Sequence, residues 1–316
     1  MGNRPQLTVL GSLNMDISVT VPRLPEPGAT VLGSAARFTP GGKGANQAVA
    51  AARLGAAVRL VGCVGGDDFG RQLLAALREE NVDAGQVRTV NGVPTGLAMI
   101  SVDPAGENLI TVAPGANHEV GAGEVAAAAS SPGDVLVICA EIPVPAIKAS
   151  LARASRTGAR CILNLAPAPQ TPAEVADIVA GGVDWLVVNE TEAAAVLRRK
   201  VEGLPDAAQA AAELVAAGVK HAVVTAGAHG AALVRGPEGA PVTIEAFRVE
   251  AVDTVGAGDT FVGALAVALA ADVRPAEAVR VAAAAGATAA TRPGAQAGMP
   301  RPADIRAATG LTWPVR

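Results

Sequence analysis

Residues 40–65 read PGGKGANQAVAAARLGAAVRLVGCVG and contain one loop, one helix and one strand of the predicted fold. The glycines at the start are typical of a tight loop, and the alanine-rich segment after them predicts a helix over 45–54 that Gly55 ends. The run at 58–65 is almost entirely apolar, as in strands of a parallel sheet that are buried on both faces. The stretch therefore predicts a glycine-rich loop, then a helix, then a buried strand.

Similar apolar runs recur along the chain, with helical patterns between them. The predicted buried strands are 7–11, 58–65, 134–140, 160–166, 184–189 and 221–227. The predicted helices are 45–54, 69–80, 144–154, 172–180, 190–198, 207–217 and 275–291. Strand–helix–strand units at this spacing predict a doubly wound, mostly parallel α/β sheet flanked by helices, in one domain that spans residues 1–316.

Two segments interrupt this alternation. The run ISVTV at 17–21 follows the first strand with no helix between them, and residues 95–117 predict two strands around a DPAGEN turn. Strands that interrupt a series of βαβ units have to lie outside the main sheet. We therefore expect a small projecting β-sheet, with strands near 17–40 and 95–115, that serves as a lid over a site, an edge extension or a dimer contact.

The composition excludes several classes of protein. Half of the 316 residues are hydrophobic and 17% are charged, which indicates a folded globular chain. Four Phe, two Trp and no Tyr, with a net charge of −4, exclude an aromatic stacking surface for nucleic acid. No apolar run is long enough to span a membrane, and the start lacks the apolar core of a signal peptide. The histidines and cysteines have no metal-site spacing. Three widely separated cysteines predict buried, reduced thiols in a cytoplasmic protein: Cys63, Cys139 and Cys161.

Polar residues at strand ends are candidate site residues, because ligands of open α/β sheets bind beyond the carboxyl ends of the strands. Asn14 and Asp16 follow the first strand two residues apart, so an extended backbone places them on one side, although both types also form turns. In the glycine-rich loop, Lys43 offers a cation and Asn46 lies in the first turn of the next helix. At the end of the strand 184–189, Asn189 is either a site residue or a helix cap.

The stretch DTVGAGDTFVGALAVALAA, from Asp253 to Ala271, contains an acid next to a predicted anion pocket. Gly256, Ala257 and Gly258 lead directly into a helix, so their N–H groups and the positive helix end are suited to bind an anion. Asp259 follows them and is either a helix cap or a catalytic carboxylate.

The segments GGKGANQAVAAARLGAAVRLVGCVG and DTVGAGDTFVGALA resemble the two signatures of the ribokinase, or phosphofructokinase-B, family of carbohydrate kinases. The NETE and TAGAHG segments match the nucleotide half of that family, and the resemblance extends from Leu7 to about Pro300. Within the family, NMD followed by GGKGANQA is similar to the ribokinase branch. The resemblance implies a kinase that transfers the γ-phosphoryl group of ATP to the 5-hydroxyl of ribose.

The same resemblance implies roles for individual residues. Asp259 would be the catalytic base, and the N–H groups of Gly256, Ala257 and Gly258 would stabilise the transferred phosphoryl group. Six polar positions would bind ribose: Asn14, Asp16, Gly42, Lys43, Asn46 and Glu141. The positions implied for the phosphates, a hydrated Mg²⁺ and the nucleotide are Asn189, Glu192, Thr225, Gly227, Gly230 and Gly258. A potassium ion would be held by Asp253 and by backbone at Val255, Ala289, Arg292, Gly294 and Gly298.

Two points remain open at this level. Ala283 stands where related ribokinases often present Asn or His to the adenine, so the adenine contacts are not implied. A kinase for another furanose or for a nucleoside, and a sugar-binding regulator without catalysis, are the alternatives, although a regulator has no use for Asp259.

Finally, we expect the lid to expose an apolar face that includes Ile17, Val19 and Val21, and therefore a homodimer that forms through the two lids.

Overall fold

The computed structural model describes residues 4–128, 131–169 and 171–315. Within these residues, thirteen strands form two sheets. The strands are β1 (Gln6–Leu10), β2 (Asn14–Thr20), β3 (Arg37–Gly41), β4 (Ala57–Gly65), β5 (Asp83–Val90), β6 (Gly96–Val102), β7 (Asn108–Ala113), β8 (Val135–Cys139), β9 (Arg160–Asn164), β10 (Trp185–Asn189), β11 (His221–Thr225), β12 (Gly230–Arg235) and β13 (Val242–Glu245).

The main sheet has nine strands in the order β13-β12-β11-β10-β9-β8-β1-β4-β5. All neighbouring pairs are parallel except those of β12, which runs antiparallel to both β11 and β13. The predicted doubly wound, mostly parallel sheet is therefore confirmed. All six predicted buried strands are present, and the strands that the apolar pattern missed are β3, β5, β12 and β13.

Eleven helices accompany the strands in the described residues. They are α1 (Lys43–Arg53), α2 (Asp68–Glu79), α3 (Ala122–Ala127), α4 (Val144–Thr157), α5 (Pro172–Ala180), α6 (Glu190–Leu197), α7 (Gly203–Ala216), α8 (Ala257–Ala270), α9 (Pro275–Ala289), α10 (Ala295–Gly298) and α11 (Pro302–Thr309). None of these helices is long and apolar enough to cross a membrane.

The helices pack on both faces of the main sheet, which gives two hydrophobic cores. One core joins α1, α2, α8, α9 and α11 to one face of the sheet, and the other joins α4, α5 and α7 to the opposite face. The alternation within β1 shows the division, because Val9 belongs to the first core and Leu10 to the second. The strands are apolar on both faces for this reason.

Several helix boundaries differ from those predicted. The first helix begins at Lys43 and not at residue 45, α4 continues to Thr157, and α7 begins at Gly203 and not at residue 207. The alanine and valine pattern marks the buried part of each helix, whereas the first turn is set by backbone geometry. In α1, Gly42 is the N-cap, with φ 87° and ψ 131°, so the helix starts directly after it.

The small sheet has the order β3-β2-β6-β7 and is separate from the main sheet, as predicted. The exposed apolar face predicted for residues 17–21 is only partly correct, because Val21, just after β2, is buried and Ile17 and Val19 are half-buried. The exposed apolar side chains of this sheet lie instead on the other three strands: Phe38, Met99, Leu109, Ile110 and Val112. Phe38 stacks on Phe69 of α2, with ring centroids 6.0 Å apart, which helps to hold the small sheet against the main body.

The packing of α1 against α8 brings together two distant parts of the chain. The helices touch at Gly263, where an added Cβ would lie 2.8 Å from the carbonyl oxygen of Gln47 and 2.9 Å from the Cβ of Ala50. Only glycine allows this close approach. As a result, the first turn of α8 lies next to the first turns of α1.

Candidate active site

Asp259 lies in the first turn of α8 and is almost completely buried, with 8% of its surface exposed. Its two carboxylate oxygens accept hydrogen bonds from adjacent residues of α1. Asn46 Nδ2 donates to Oδ2 over 2.9 Å, and Gln47 Nε2 donates to Oδ1 over 3.1 Å. Asp259 does not cap its own helix with its side chain, because both oxygens are bound by another helix. The capping alternative is therefore not the arrangement seen.

A network of buried amides holds this carboxylate. Gln47 Nε2 also donates to Asn164 Oδ1 at the end of β9, over 2.9 Å, and Gln296 Nε2 donates to Asn46 Oδ1 over 3.0 Å. Gln47, Asn164 and Gln296 were not predicted as site residues. Gln47 could have been identified from the sequence, because it follows Asn46 within the GANQ segment. Asn164 and Gln296 could not, because they lie 117 and 250 residues away from their partners.

A second polar cluster surrounds Glu141, immediately after β8. Its Oε2 accepts hydrogen bonds from Ser12 Oγ at 2.6 Å, from the backbone N–H of Lys43 at 3.3 Å and from Asn14 Nδ2 at 3.5 Å. Asn117 Nδ2 donates to Asn14 Oδ1 over 2.7 Å and fixes the orientation of that amide. The structure thus brings the predicted residues Asn14, Lys43 and Glu141 together, and adds Ser12 and Asn117.

The charges of this cluster affect each other. The pKa of Asp16 is raised to about 7, mainly by burial and in addition by the nearby carboxylates of Glu141 and Asp259. Burial alone would lower the pKa of Lys43, but the carboxylates of Asp259, Glu141 and Glu192 outweigh it and hold this pKa above its ordinary value. Lys43 is therefore a cation surrounded by acids, and the cluster can bind several hydroxyl groups.

The glycines of the loop allow the backbone to line this cluster closely. An added Cβ at Gly41 would lie 2.1 Å from Asp16 Oδ2, and one at Gly42 would lie 2.6 Å from the backbone nitrogen of Asn14. Gly42 is also in a backbone conformation with positive φ, at 87°. The loop therefore packs directly against the strand that carries Asn14 and Asp16.

An apolar cavity of about 440 Å³ begins on the other side of the first turn of α8. The predicted residues Thr225, Gly227, Gly230, Ala257 and Gly258 all line it. Residues that were not predicted also line it: Phe247, Arg248, Phe261 and Gly286. Ala283, the position that departs from the pattern described above, lies in the wall of this cavity. Its side chain gives an apolar surface there and no hydrogen-bonding group.

The backbone at the start of α8 has free donors. Among the described residues, the N–H groups of Gly256 and Gly258 have no acceptor, whereas the N–H of Ala257 donates to the Thr254 carbonyl over 3.2 Å. An added Cβ at Gly258 would meet no atom within 4 Å, so a ligand can approach this backbone. Two of the three N–H groups predicted to bind an anion are thus free to do so.

Asn189 and Glu192 form a reciprocal capping box at the start of α6. Asn189 Oδ1 accepts from the N–H of Glu192, and Glu192 Oε2 accepts from the N–H of Asn189, both over 2.8 Å. Burial raises the pKa of Glu192, while its hydrogen bond to Asn189 and the charge of Lys43 oppose that shift. The capping interpretation is correct for Asn189, and Glu192 also lies within electrostatic reach of Lys43.

Asp253 joins two loops. Its Oδ1 accepts from the N–H of Val255 over 3.0 Å and its Oδ2 from the N–H of Gly294 over 2.8 Å. Near Gly298, an added Cβ would lie 3.1 Å from the Arg292 carbonyl oxygen and 3.2 Å from that of Ala289, so two carbonyls face one small space. The described residues contain no group of three or more His, Cys, Asp or Glu that could hold a metal ion.

The chain is similar to known proteins of one family. The model of the pfkB family of carbohydrate kinases matches residues 4–302. The chain belongs to this family. Ribokinase from Haemophilus influenzae is 36% identical over 299 residues, which cover 94% of this chain and 96% of that protein.

Solved structures of other family proteins have the same fold. The structure of Arabidopsis thaliana ribokinase complexed with ribose and ATP has a TM-score of 0.87 and 31% identity, and covers 98% of this chain and 100% of that one. Phosphofructokinase-2 from Escherichia coli in complex with potassium has a TM-score of 0.78 and 27% identity, and covers 96% of this chain and 98% of that one. The pfkB fold thus extends over nearly the whole chain.

Proposed function

We propose that this pfkB-family chain is an ATP-dependent kinase that phosphorylates the 5-hydroxyl of D-ribose. The observation that carries this proposal is the position of Asp259. Its carboxylate contacts Asn46 at the edge of the polar cluster, while the residue before it, Gly258, lines the apolar cavity. A group transferred from a ligand in the cavity to a hydroxyl in the cluster would pass next to this carboxylate.

The polar cluster supports a sugar as the acceptor. Asp16, Asn46 and Glu141 supply acceptors, and Asn14, Lys43 and the loop backbone supply donors, which together suit a molecule with several hydroxyl groups. A site of this type rejects sugars that lack one hydroxyl, because its own buried groups would lose their partners. The family relatives named ribokinase support ribose as the sugar.

Phosphoryl transfer requires good positioning of the hydroxyl and the phosphate more than it requires a strong base. Asp259 would accept the proton of the 5-hydroxyl as its oxygen attacks the γ-phosphorus of ATP, and ADP would leave on the opposite side. The free N–H groups of Gly256 and Gly258 would stabilise the negative charge on the transferred phosphoryl group. The apolar walls of the cavity, including Phe261, would hold the base of the nucleotide and exclude water.

Mg²⁺ would enter with the nucleotide, since no cluster of acids in the described residues can hold it without phosphates. It would neutralise charge on the phosphates. Glu192 and Asn189 would face its water shell, and the proximity of Glu192 to Lys43 supports their placement beside the phosphates.

The experiment that tests the function is a coupled assay of ADP release with purified protein, ATP and Mg²⁺. We expect D-ribose to stimulate ADP release strongly, and fructose, other furanoses and nucleosides to do so weakly or not at all. Stimulation by a nucleoside in place of ribose would favour the alternative kinase. Absence of stimulation by every compound, together with ribose binding, would favour a sugar-binding regulator.

A potassium ion next to the anion pocket is part of the proposal. Asp253 and the carbonyls of Ala289 and Arg292 would supply its oxygen ligands. The two carbonyls lie beside Gly298, Asp253 is bound to the N–H of Gly294, and a pfkB relative was solved in complex with potassium. We expect activity to be several-fold higher in K⁺ than in Na⁺ at constant ionic strength, because the ion orders the loop that leads to Gly256.

The Asp253→Ala variant should abolish the difference between the two salts. The matched control is Asp103→Ala, which also removes a carboxylate that accepts two backbone N–H groups, but in the distant turn between β6 and β7. The control should keep the salt difference. Equal rates in K⁺ and Na⁺ for the parent protein would show that the protein alone orders this loop.

We also propose that the chain forms a homodimer through the small sheet, with each lid covering its own sugar site. The exposed apolar side chains on β7 lie on both of its faces: Ile110 is 53% exposed and Leu109 is 49% exposed. We expect a dimer by sedimentation at micromolar concentration. Because these neighbours point to opposite faces, only one of Ile110→Asp and Leu109→Asp should dissociate it. A monomeric parent protein would contradict the proposal.

The cytoplasm is the proposed compartment. All three cysteines are free and buried, and burial raises the pKa of the Cys139 thiol to about 11 and that of Cys63 to about 12. Reduced thiols are usual in cytoplasmic proteins. ATP as the phosphoryl donor agrees with this location.

A further inference from the structure

A second cavity, of about 360 Å³, lies at the opposite edge of the main sheet from the candidate active site. It is formed where β9, β10 and β11 begin and where β12 ends. The active site lies at the carboxyl ends of the parallel strands, so the two cavities are separated by the length of the sheet. Ten residues of α8 also separate Asp259 from Leu269 in the wall of the second cavity, a distance of about 15 Å along the helix.

Three residues of this second cavity lie on one face of the sheet. His221 is the direct partner of Trp185 on β10 and of Arg235 on β12, so their three side chains point to the same side. Trp185 packs into the core that contains α8 and α9, which identifies that side. The end of α8 and the start of α9 close the cavity, and Arg274 and Pro275 are part of its wall.

Four cationic side chains line the cavity: Arg160, Lys220, Arg235 and Arg274. Two acids accompany them, each within ion-pair distance of a cation. Lys220 Nζ lies 3.1 Å from Asp184 Oδ1, which is buried and accepts no hydrogen bond within the described residues, and Arg160 lies 3.5 Å from Asp272. The guanidinium groups of Arg235 and Arg274 have no hydrogen-bond or ion-pair partner in the part of the chain that the structure describes. The lining therefore has a net charge of +2 when His221 is neutral: four cations less two acids.

His221 adds an unsatisfied group. Its Nδ1 is buried and has no hydrogen-bond partner within the described ranges, while its ring lies 4.7 Å from that of Trp185. Burial lowers the pKa of His221, the charges of Lys220, Arg235 and Arg160 lower it further, and the carboxylate of Asp184 opposes them. A buried polar atom without a partner is uncommon in folded proteins and is a place where a ligand gains a hydrogen bond.

From this cavity, its two unpaired arginines and the free imidazole nitrogen, we infer that the chain has a second ligand site, which binds a phosphate dianion. Arginine guanidinium groups bind phosphate oxygens through paired hydrogen bonds, and a multivalent anion would neutralise the excess positive charge. The ligand is either inorganic phosphate or the phosphoryl group of a small phosphate monoester. The inference goes beyond the proposed kinase function and does not depend on it.

The test follows the imidazole of His221 by NMR, which is practical because the chain has only three histidines. A His221→Gln variant assigns the signal. The pKa of His221 is measured with increasing inorganic phosphate, or with glycerol phosphate as a monoester, with NaCl used to hold the ionic strength constant. We expect each dianion to raise this pKa, with a dissociation constant on the order of 1 mM. Tighter binding of glycerol phosphate would identify a monoester as the ligand, and tighter binding of phosphate would identify the free anion.

The Arg235→Ser/Arg274→Ser variant should weaken this effect at least tenfold. The matched control, Arg156→Ser/Arg306→Ser, removes two exposed arginines that lie outside the cavity and whose guanidinium groups have no partner among the described residues. It causes the same change of net charge and should keep the effect. An unchanged His221 titration at 50 mM phosphate, or equal weakening in both double variants, would overturn the inference. Because the readout is local to His221, phosphate bound at the kinase site, or failure of the proposed kinase function, does not alter the result.

Discussion

Replacing Asp259 by asparagine is expected to lower kcat by about two to four orders of magnitude, the usual effect of removing a positioned acid–base group. The amide has nearly the same shape but cannot accept the proton of the sugar hydroxyl. It also cannot accept hydrogen bonds from both Asn46 Nδ2 and Gln47 Nε2, because one of its two ends is now a donor. We therefore also expect a loss of stability of about 1–3 kcal/mol.

The measurements are ADP release for kcat, calorimetry for ribose binding and urea unfolding for stability. The control is Asp68→Asn, since Asp68 also lies in the first turn of a helix but its side chain is 81% exposed. It matches the loss of a carboxylate at a helix N-terminus and should leave kcat unchanged. If Asp259→Asn keeps kcat within a few-fold of the parent, Asp259 is not the base.

The main sheet could be predicted from the sequence because its central strands are buried on both faces. β8, VLVIC, is buried at every position, so its apolar pattern is unambiguous. β5 lies at the edge of the sheet and has mostly exposed or half-buried residues, from Asp83 to Val90, so hydrophobicity alone does not distinguish it from a loop. β13 forms the other edge and β12 lies next to it. Both were missed as well, although β12 is largely buried.

Much of the candidate site could be predicted from the two signatures, and Asn14 and Glu141 were predicted outside them, at or near strand ends. Asn46 and Asp259 are in those segments, and the structure places them in contact. Asn117 was not predicted, although it fixes Asn14 and accepts from the N–H of Leu13, because those partners are about one hundred residues away in sequence. Hydrogen bonds of this kind depend on the folded arrangement of β2, β6 and the turn after β7, which no local pattern specifies.

Gly42→Ala is expected to have the second largest effect, because this position combines two constraints. The backbone has φ 87°, a conformation that costs a non-glycine residue about 1–2 kcal/mol. In addition, the new Cβ would lie 2.6 Å from Asn14 N, 2.9 Å from Leu13 Cα and 2.9 Å from the Ser12 carbonyl oxygen. All three are backbone atoms that cannot rotate away, and such overpacking costs about 1–3 kcal/mol more.

We therefore expect Gly42→Ala to lower the free energy of unfolding by about 2–5 kcal/mol and to raise the KM for ribose at least tenfold, since relief of the clash moves Asn14. The control is Gly28→Ala, because Gly28 has a similar φ of 82° but an added Cβ there would meet no atom within 4 Å. It should lose only the conformational part, about 1–2 kcal/mol, and keep the KM of the parent. The difference between the two variants measures the close approach of the loop to the strand of Asn14. If both variants lose the same stability and both keep the KM, the loop has room to move at Gly42, and the packing of that backbone does not position the sugar site.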